Sequence, residues 1–283
     1  MQDAPRITAL PPPYSQPLPV LGLGTWRMGE SAATRGEETT TLRLGLDLGV
    51  SLIDTAEMYA DGEAEAIVGE AIAGRRDEVV LVSKVLPENA TRRGTVAACE
   101  RSLRRLRTDR IDLYLLHWRG RPPLAETLAG FDDLVAAGKI RRWGVSNFDI
   151  DDMRELEALG GLEACATNQV LYNLARRGIE FDLAPWCAER GVSIMAYSPV
   201  EQGRLLRHAG LRRLAEQKGA TPAQLALAFV LDRPGTVAIP KASRAEHLRE
   251  NLAALAVRLD DRDRAEFAKL FPPPRRPVPL EML

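Results

Sequence analysis

Residues 111–146, IDLYLLHWRGRPPLAETLAGFDDLVAAGKIRRWGVS, contain the pattern that decides the fold. The short apolar run Ile111–His117 is typical of a strand that is buried on both faces. Glu126–Ala137 has helical periodicity and is followed by Gly138, a residue type that commonly ends helices. A second apolar run, Ile140–Ser146, comes next. The stretch therefore predicts a strand–helix–strand unit, from which parallel sheets are built.

The same alternation repeats about eight times along the chain. The predicted strands are Val20–Gly24, Val50–Asp54, Val79–Lys84, Ile111–His117, Ile140–Ser146, Ala164–Gln169, Val192–Tyr197 and Val237–Pro240. The predicted helices are Glu37–Leu48, Glu63–Ala73, Thr91–Leu106, Glu126–Ala137, Asp152–Leu159, Phe181–Arg190, Pro222–Leu231 and Ser243–Leu255. Thr221 precedes Pro222 as a helix N-cap should. Eight such units predict an α/β protein folded as a single-domain (β/α)8 TIM barrel, whose site lies at the carboxyl ends of the strands.

An open, doubly wound parallel sheet is the alternative fold. Against it, no predicted strand is followed by G-x-G-x-x-G, and Gly22-Leu-Gly24 supplies only two glycines. We therefore predict one barrel domain over residues 1–283, with proline-rich ends, about 1–19 and 272–283, outside the repeat. The end of the tail, Pro279–Leu283, is apolar enough to fold over the barrel mouth, and disorder is the other outcome.

Composition excludes several classes of function. Hydrophobic residues make up 45% and charged residues 27%, and the net charge is −1. This is a globular composition with no general attraction to nucleic acid or to an anionic membrane. The run Arg101–Arg107 is interpreted as a solvent-exposed helix face. The start of the chain does not have the pattern of a signal peptide, so a cytoplasmic protein is expected. Oligomeric state is left open, and a monomer is consistent with the sequence.

Cysteine and histidine patterns predict neither disulfides nor a metal site. Cys99, Cys165 and Cys187 are widely spaced and form no C-x-x-C pair. The three histidines do not pair at metal-ligand spacing.

Polar residues follow the predicted strands where each strand ends. They are Asp54, Thr55 and Tyr59 after the second strand, Lys84 after the third, His117 after the fourth, Ser146 and Asn147 after the fifth, Gln169 after the sixth, and Tyr197 and Ser198 after the seventh. Strand ends converge on one rim of a barrel, so these residues are expected to share a pocket.

Four of these residues form a chemically coherent set. A free tyrosine titrates near pKa ~10, and a nearby ammonium lowers that pKa. Lys84 would act in this way on Tyr59, while Asp54 keeps the lysine charged. A neutral His117 would hold a carbonyl oxygen. The set predicts a proton-donating oxyanion site that needs a redox cofactor for reduction.

Each of the four residues also has a structural interpretation. Asp54 could cap a helix, Lys84 could extend its stem along apolar surface, Tyr59 could be a half-buried aromatic, and His117 could be a hydrogen-bonded core residue. The coincidence of all four at suitable strand ends favours the functional interpretation.

In eight strings the sequence resembles the aldo–keto reductase family. They are Leu21-Gly-Leu-Gly-Thr-Trp26, Leu52-Ile-Asp-Thr-Ala-Glu-Met-Tyr59, Val82-Ser-Lys84, Asp112-Leu-Tyr-Leu-Leu-His-Trp118, Gly138-Lys-Ile-Arg-Arg-Trp-Gly-Val-Ser-Asn-Phe148, Asn168-Gln-Val170, Ala196-Tyr-Ser-Pro199 and Ile239-Pro-Lys241. The resemblance runs in order from about Val20 to Asn251. It is strongest to a bacterial subgroup that includes small-aldehyde and 2-oxoaldehyde (methylglyoxal-type) reductases.

The resemblance implies a barrel that binds NADP(H) by preference, with NAD(H) possible, and transfers hydride to a small aldehyde or ketone. Tyr59 would be the acid, assisted by Lys84 and Asp54, and His117 would orient the carbonyl. Trp26, Met58, His117 and Trp118 would contact the substrate. The positions implied for the cofactor are Gly24, Thr25, Trp26, Asp54, Ser146, Asn147, Gln169, Tyr197, Ser198, Pro199, Ile239, Pro240, Lys241, Ser243, His247, Glu250 and Asn251.

Within that set, Ser146, Asn147 and Gln169 match positions that hold the carboxamide, and Tyr197 matches the aromatic that stacks on the nicotinamide. Lys241 would meet the 2′-phosphate.

Two residues depart from the common pattern of the family near the 2′-phosphate. His247 stands where an arginine is frequent, and Ala242 where a serine is frequent. Ser243 and Glu246 have the spacing of a capping box at a helix start, which is also a site for anions. The sequence therefore predicts a preference for NADPH that depends partly on His247.

Two other functions compete with the reductase. Lys84 could form a Schiff base in a lyase, although Asp54 beside it would keep the amine protonated. The chain could also be a sensor or regulatory subunit that binds the cofactor with little turnover.

Overall fold

A computed structural model describes residues 18–283, which form a parallel eight-stranded barrel. The strands are β1 (Gly22–Gly24), β2 (Leu52–Asp54), β3 (Val80–Val85), β4 (Ile111–Leu116), β5 (Ile140–Ser146), β6 (Cys165–Leu171), β7 (Ser193–Tyr197) and β8 (Thr236–Ala238). Each strand pairs with the next in chain order. Parallel bridges from Leu21 to Ala238 and from Gly24 to Lys241 close the barrel between β8 and β1. The predicted fold class is confirmed.

Within residues 18–283, ten α-helices surround the barrel. They are α1 (Arg35–Asp47), α2 (Glu63–Ala71), α3 (Arg92–Leu106), α4 (Leu124–Ala136), α5 (Ile150–Ala158), α6 (Leu183–Glu189), α7 (Ala209–Lys218), α8 (Pro222–Leu231), α9 (Ala245–Ala253) and α10 (Asp261–Leu270). All predicted strands and helices are present, with bounds that differ by at most two residues. The prediction lacked α7 and α10. The second of these begins at a reciprocal capping box between Asp260 and Asp263, a signal that the sequence did contain.

Both faces of the strands are buried, which explains their nearly continuous apolar sequences. Leu52, Val82, Leu113 and Met195 pack together inside the barrel. The outward-facing residues pack against the surrounding helices. Within residues 18–283, none of the helices has the length and apolar composition that crossing a membrane requires.

The two proline-rich ends differ in what the structure describes. Most of the first, up to residue 17, lies outside the described residues. The C-terminal tail packs Leu280 against the core, and Glu281 forms an ion pair with Arg176. The Leu283 backbone lies beside the hydroxyl of Tyr197 at the end of β7. The end of the tail therefore packs against the rest of the protein.

The N-cap of α8 tests whether a threonine side chain stabilises the start of a helix, as its position in the sequence predicts. Thr221 Oγ1 accepts from the Gln224 backbone N–H at 3.2 Å, and Gln224 Oε1 accepts from the Thr221 N–H at 3.0 Å. Thr221→Ala should lower the free energy of unfolding by about 1 kcal/mol, because an N–H of the first turn loses its acceptor. Urea denaturation measures this. Thr40→Ala, on an exposed face within α1, is the control and should change it by less than about 0.5 kcal/mol. An equal effect at both positions would contradict the capping role.

Candidate active site

A buried lysine lies at the centre of the barrel rim. Lys84 has 0% side-chain exposure, and its Nζ is 2.9 Å from Asp54 Oδ2. The same ammonium donates to the Thr55 carbonyl oxygen at 2.8 Å and to Tyr59 Oη at 3.2 Å. Its three donors therefore each have an oxygen partner. Strands β2 and β3 bring these residues together because Asp54 and Lys84 lie near the carboxyl ends of neighbouring strands.

Asp54 is held on its other side by Gln169, at the far side of the barrel mouth. Gln169 Nε2 donates to Asp54 Oδ1 at 2.8 Å. Both carboxylate oxygens are thus hydrogen-bonded, and the carboxylate has little freedom to turn away from Lys84. The resemblance gave Gln169 a role toward the cofactor carboxamide, but its amide N–H groups also orient Asp54.

Burial and charge act in opposite directions on the phenol. Desolvation raises the pKa of Tyr59, the positive charge of Lys84 opposes this, and the pKa remains above its usual value. The sequence-based expectation of a lowered pKa is therefore wrong for this structure, because desolvation exceeds the effect of the ammonium. The phenol is protonated at neutral pH, as a proton donor must be.

Lys84 keeps its charge despite its burial. Desolvation acts to lower its pKa, but the charge of Asp54 and the hydrogen bonds to Asp54 and Tyr59 outweigh it, so the pKa is raised. An ammonium of this kind can donate a hydrogen bond to a phenolate formed after proton transfer.

His117 presents a neutral imidazole to the same pocket. Desolvation, reinforced by the charge of Lys84, holds its pKa well below the usual value. Its ring lies edge-on to that of Tyr59, with centroids 6.0 Å apart. Nδ1 is buried and has no hydrogen-bond partner within the described part of the chain. The phenol O–H and an imidazole N–H can therefore approach one substrate oxygen together.

The ends of β5 and β7 form a polar wall beside these residues. Asn147 Nδ2 donates to the His117 carbonyl oxygen at 3.1 Å, and Tyr197 Oη donates to Asn147 Oδ1 at 3.0 Å. Ser146 Oγ donates to the Gln169 carbonyl oxygen at 2.8 Å. Asn147 and Ser198 have positive φ values of 55° and 49°, which are uncommon for residues other than glycine. Strain of this kind persists where packing over-determines it, often at ligand sites.

On the opposite side of the rim, β1 approaches the segment after β8. Gly24 N–H donates to the Pro240 carbonyl oxygen at 3.1 Å. A Cβ at Gly24 would lie 2.7 Å from the Ile239 carbonyl oxygen, so this contact requires glycine. Thr25 Oγ1 donates to the Asp54 carbonyl oxygen at 3.0 Å. Residues at the two ends of the barrel sequence are therefore adjacent in space.

Helix α9 begins one residue later than a capping box at Ser243 would require. Arg244 is its N-cap, in extended backbone and without a side-chain capping bond. The Ser243 carbonyl oxygen accepts from Thr41 of α1, which holds that residue outside the helix. The predicted Ser243–Glu246 capping box is therefore wrong.

Two cationic side chains lie just before α9 instead. Lys241 and Arg244 are exposed there, as is His247 in the first turn of the helix, and Ser243 Oγ is buried without a partner among residues 18–283. Partial burial lowers the pKa of Lys241, opposed by the charges of Glu38 and Glu30. Further along the helix, Asn251 is buried and Glu250 is half-buried.

The predicted substrate residues are partly exposed. Trp26 and Met58 are among the exposed large hydrophobic residues of the described chain. The Trp118 ring lies 4.8 Å from that of His117. Ser198 is half-buried and Pro199 buried in the connection after β7. The structure thus places Trp118 beside His117, and it brings Lys241 next to Gly24 at the end of β1.

Comparisons with known proteins agree with this arrangement. The model of the Aldo/keto reductase family matches residues 20–271. Methylglyoxal reductase YeaE of Escherichia coli K12 is 51% identical over 271 residues, which are 94% of this chain and 95% of the relative. Methylglyoxal reductase DkgB of Escherichia coli O157:H7 is 32% identical over 261 residues, covering 89% and 93%. A crystal structure of an aldo/keto reductase from Klebsiella pneumoniae in complex with NADP and acetate has a TM-score of 0.94 at 52% identity and covers 98% of this chain and 100% of that one.

The low pKa of His117 predicts a pH-dependent contribution to stability. Below about pH 6.5 the unfolded chain binds a proton at this residue that the folded protein does not bind. The contribution of neutral His117 to the free energy of unfolding is therefore fully present above the pKa that His117 has in the unfolded chain. It is lost as the pH falls below that pKa, by up to about 1.4 kcal/mol per pH unit. The difference in unfolding free energy between the wild type and His117→Asn should shrink from pH 7 to pH 5, as followed by urea denaturation. Parallel pH curves for the two proteins would show that the folded state protonates His117 normally.

Proposed function

Because the chain belongs to the aldo/keto reductase family, we propose that it reduces small aldehydes and ketones with NADPH, using Tyr59 as the proton donor. One observation carries the assignment of the donor. Lys84 Nζ lies 3.2 Å from Tyr59 Oη while it is paired with Asp54, so a charged donor faces the oxygen that must lose a proton.

The residues around the rim fit a nicotinamide dinucleotide. Ser146 and Asn147 offer hydroxyl and amide groups for a carboxamide, and Tyr197 is a half-buried aromatic beside them. At the other end, Lys241 and Arg244 supply positive charge near a helix N-terminus that also carries His247, and the Ser243 hydroxyl has no partner among residues 18–283. Together these groups suit a phosphate monoester, which supports NADPH over NADH. Related structures contain NADP or NADPH.

The protein side of the reaction follows from the geometry. An imidazole N–H of His117 and the phenol O–H of Tyr59 hold the carbonyl oxygen. When bound, NADPH supplies the hydride that the carbonyl carbon accepts. Tyr59 gives its proton to the oxygen, which leaves an alcohol and a phenolate. Lys84 stabilises that phenolate through its existing hydrogen bond until water returns the proton.

The opening favours a small substrate. Trp26, Met58 and Trp118 offer apolar and aromatic surface, and the tail ends beside Tyr197. Two of the relatives are methylglyoxal reductases. We therefore assign 2-oxoaldehydes and other small aldehydes as the substrate class.

The alternative of a Schiff-base lyase is disfavoured by a specific observation. Nucleophilic attack requires an uncharged amine, but Lys84 has three hydrogen-bond acceptors and a raised pKa. Steady oxidation of NADPH by simple aldehydes, followed by absorbance, separates the reductase from both the lyase and a low-turnover sensor.

Replacing the proton donor tests the mechanism. Tyr59→Phe should leave the Kd for NADPH nearly unchanged and lower kcat by about 10²- to 10⁴-fold, because general acid catalysis is lost. Tyr114→Phe is the matched control, since Tyr114 is a fully buried tyrosine on β4 that packs against Phe131 of α4. It should retain turnover. Near wild-type reduction by Tyr59→Phe would assign the proton to another group.

His247 tests how the chain distinguishes the two cofactors. Arginine can bind a phosphate through two parallel hydrogen bonds, whereas an imidazole N–H can donate only one. His247→Arg should therefore raise the ratio of the Kd for NADH to the Kd for NADPH, by up to roughly tenfold.

Fluorescence titration of both cofactors with both proteins makes the measurement. An unchanged ratio in His247→Arg would show that residue 247 does not contact the phosphate.

A further inference from the structure

The arginine-rich segment of α3 contacts the loop that carries Tyr59. Arg101 pairs with Glu57 at 3.3 Å, and Arg105 pairs with Glu65 at 2.6 Å. The side chains of Glu57 and Glu65 are 7% and 0% exposed. Arg104 and Arg107 of this segment are solvent-exposed, as the sequence predicted. Arg101 and Arg105 are partly exposed, and their charges also compensate buried carboxylates on either side of Tyr59.

Each of these carboxylates also binds a neighbour of Lys84 on the adjacent strand. Glu57 Oε1 accepts from the backbone N–H of Leu86 and from Asn89 Nδ2, both at 2.9 Å. Glu65 Oε1 accepts from Ser83 Oγ at 2.6 Å. Ser83 and Leu86 lie immediately before and two residues after Lys84. The loop that carries Tyr59 is thus tied to the strand that carries Lys84 on both sides of the ion pair.

The Tyr59 loop requires such ties because its backbone is strained. Ala60, Asp61 and Gly62 have consecutive positive φ values of 48°, 53° and 93°. Such a conformation is unfavourable for a residue other than glycine and persists only where the surroundings impose it. Without external contacts the loop would relax, and the Tyr59 hydroxyl would move with it.

We propose that Glu57 is a positioning residue for proton transfer, which sets the 3.2 Å separation between Tyr59 Oη and Lys84 Nζ. This inference rests on the proposed role of Tyr59 as the acid. Glu57 is two residues from Tyr59, and its carboxylate binds the β3–α3 connection rather than substrate or cofactor. Its effect is therefore on the geometry of proton transfer and not on binding.

Glu57→Ala and a matched control test the proposal. The control is Asp112→Ala at the amino-terminal end of β4, which also contacts β3. Asp112 has a 4% exposed side chain, accepts from the Leu81 N–H at 3.0 Å and pairs with Arg76 and Arg141. Both variants should lower the Tm. Only Glu57→Ala should lower kcat, by about 10- to 100-fold, while its KM and its Kd for NADPH stay within about threefold of wild type.

A double-mutant cycle with Tyr59→Phe makes the test specific. Glu57→Ala should have little further effect on the residual kcat of Tyr59→Phe, because the group that it positions is already absent. Glu57→Gln retains an oxygen for Leu86 and Asn89 and should recover most of the kcat lost in Glu57→Ala. If Glu57→Ala does not fold, Glu57→Asp replaces it, because its shorter side chain withdraws the carboxylate from Leu86.

The outcomes separate this inference from the proposed function. If Tyr59→Phe retains wild-type turnover, the assignment of the proton donor fails. If Tyr59→Phe is inactive but Glu57→Ala has wild-type kcat, the positioning role alone is overturned. The positioning role is also overturned if Glu57→Ala lowers kcat equally with and without the Tyr59 hydroxyl, or if Asp112→Ala lowers kcat to the same extent.

Discussion

A charged lysine without solvent contact is the constraint on which the structure of the barrel mouth depends. A buried ammonium is strongly unfavourable unless it is paired and fully hydrogen-bonded. Lys84 meets that condition with oxygens from Asp54, Thr55 and Tyr59, none of which is its sequence neighbour. The ion pair therefore requires β2, β3 and the following loop to be in register. The same requirement places the phenol where its conjugate base would be stabilised.

Further polar contacts extend outward from this ion pair. Gln169 donates a hydrogen bond to Oδ1 of Asp54 from across the barrel. Glu57 and Glu65 hold the Tyr59 loop against β3. Arginines of α3 compensate those carboxylates in turn. Positive φ values at Ala60, Asn147 and Ser198 occur on the same rim. The strained loops at the barrel rim are thus held in place by contacts with the barrel.

Much of this protein was predictable because its local signals agree with its fold. Short apolar runs, helical periods and residues such as Thr221 and Gly138 located every strand and eight of the ten helices to within two residues. Strand-end polarity was sufficient to bring Asp54, Tyr59, Lys84 and His117 into one pocket, because a parallel barrel places all such ends on one rim. These features depend on residue type and spacing, which the sequence contains directly.

Other features arise only when distant segments meet. The direction of the Tyr59 pKa shift depends on how completely the site is desolvated, which no residue pattern specifies. The attachment of the Tyr59 loop through Glu57 depends on contacts with Leu86 and Arg101. The start of α9 shifted because the Ser243 carbonyl oxygen binds Thr41, about two hundred residues earlier in the chain. By itself, the sequence determined the fold and the chemical types of residue at the site. Tertiary structure decided the distances, burial and helix start, because these depend on packing between segments that local patterns do not relate.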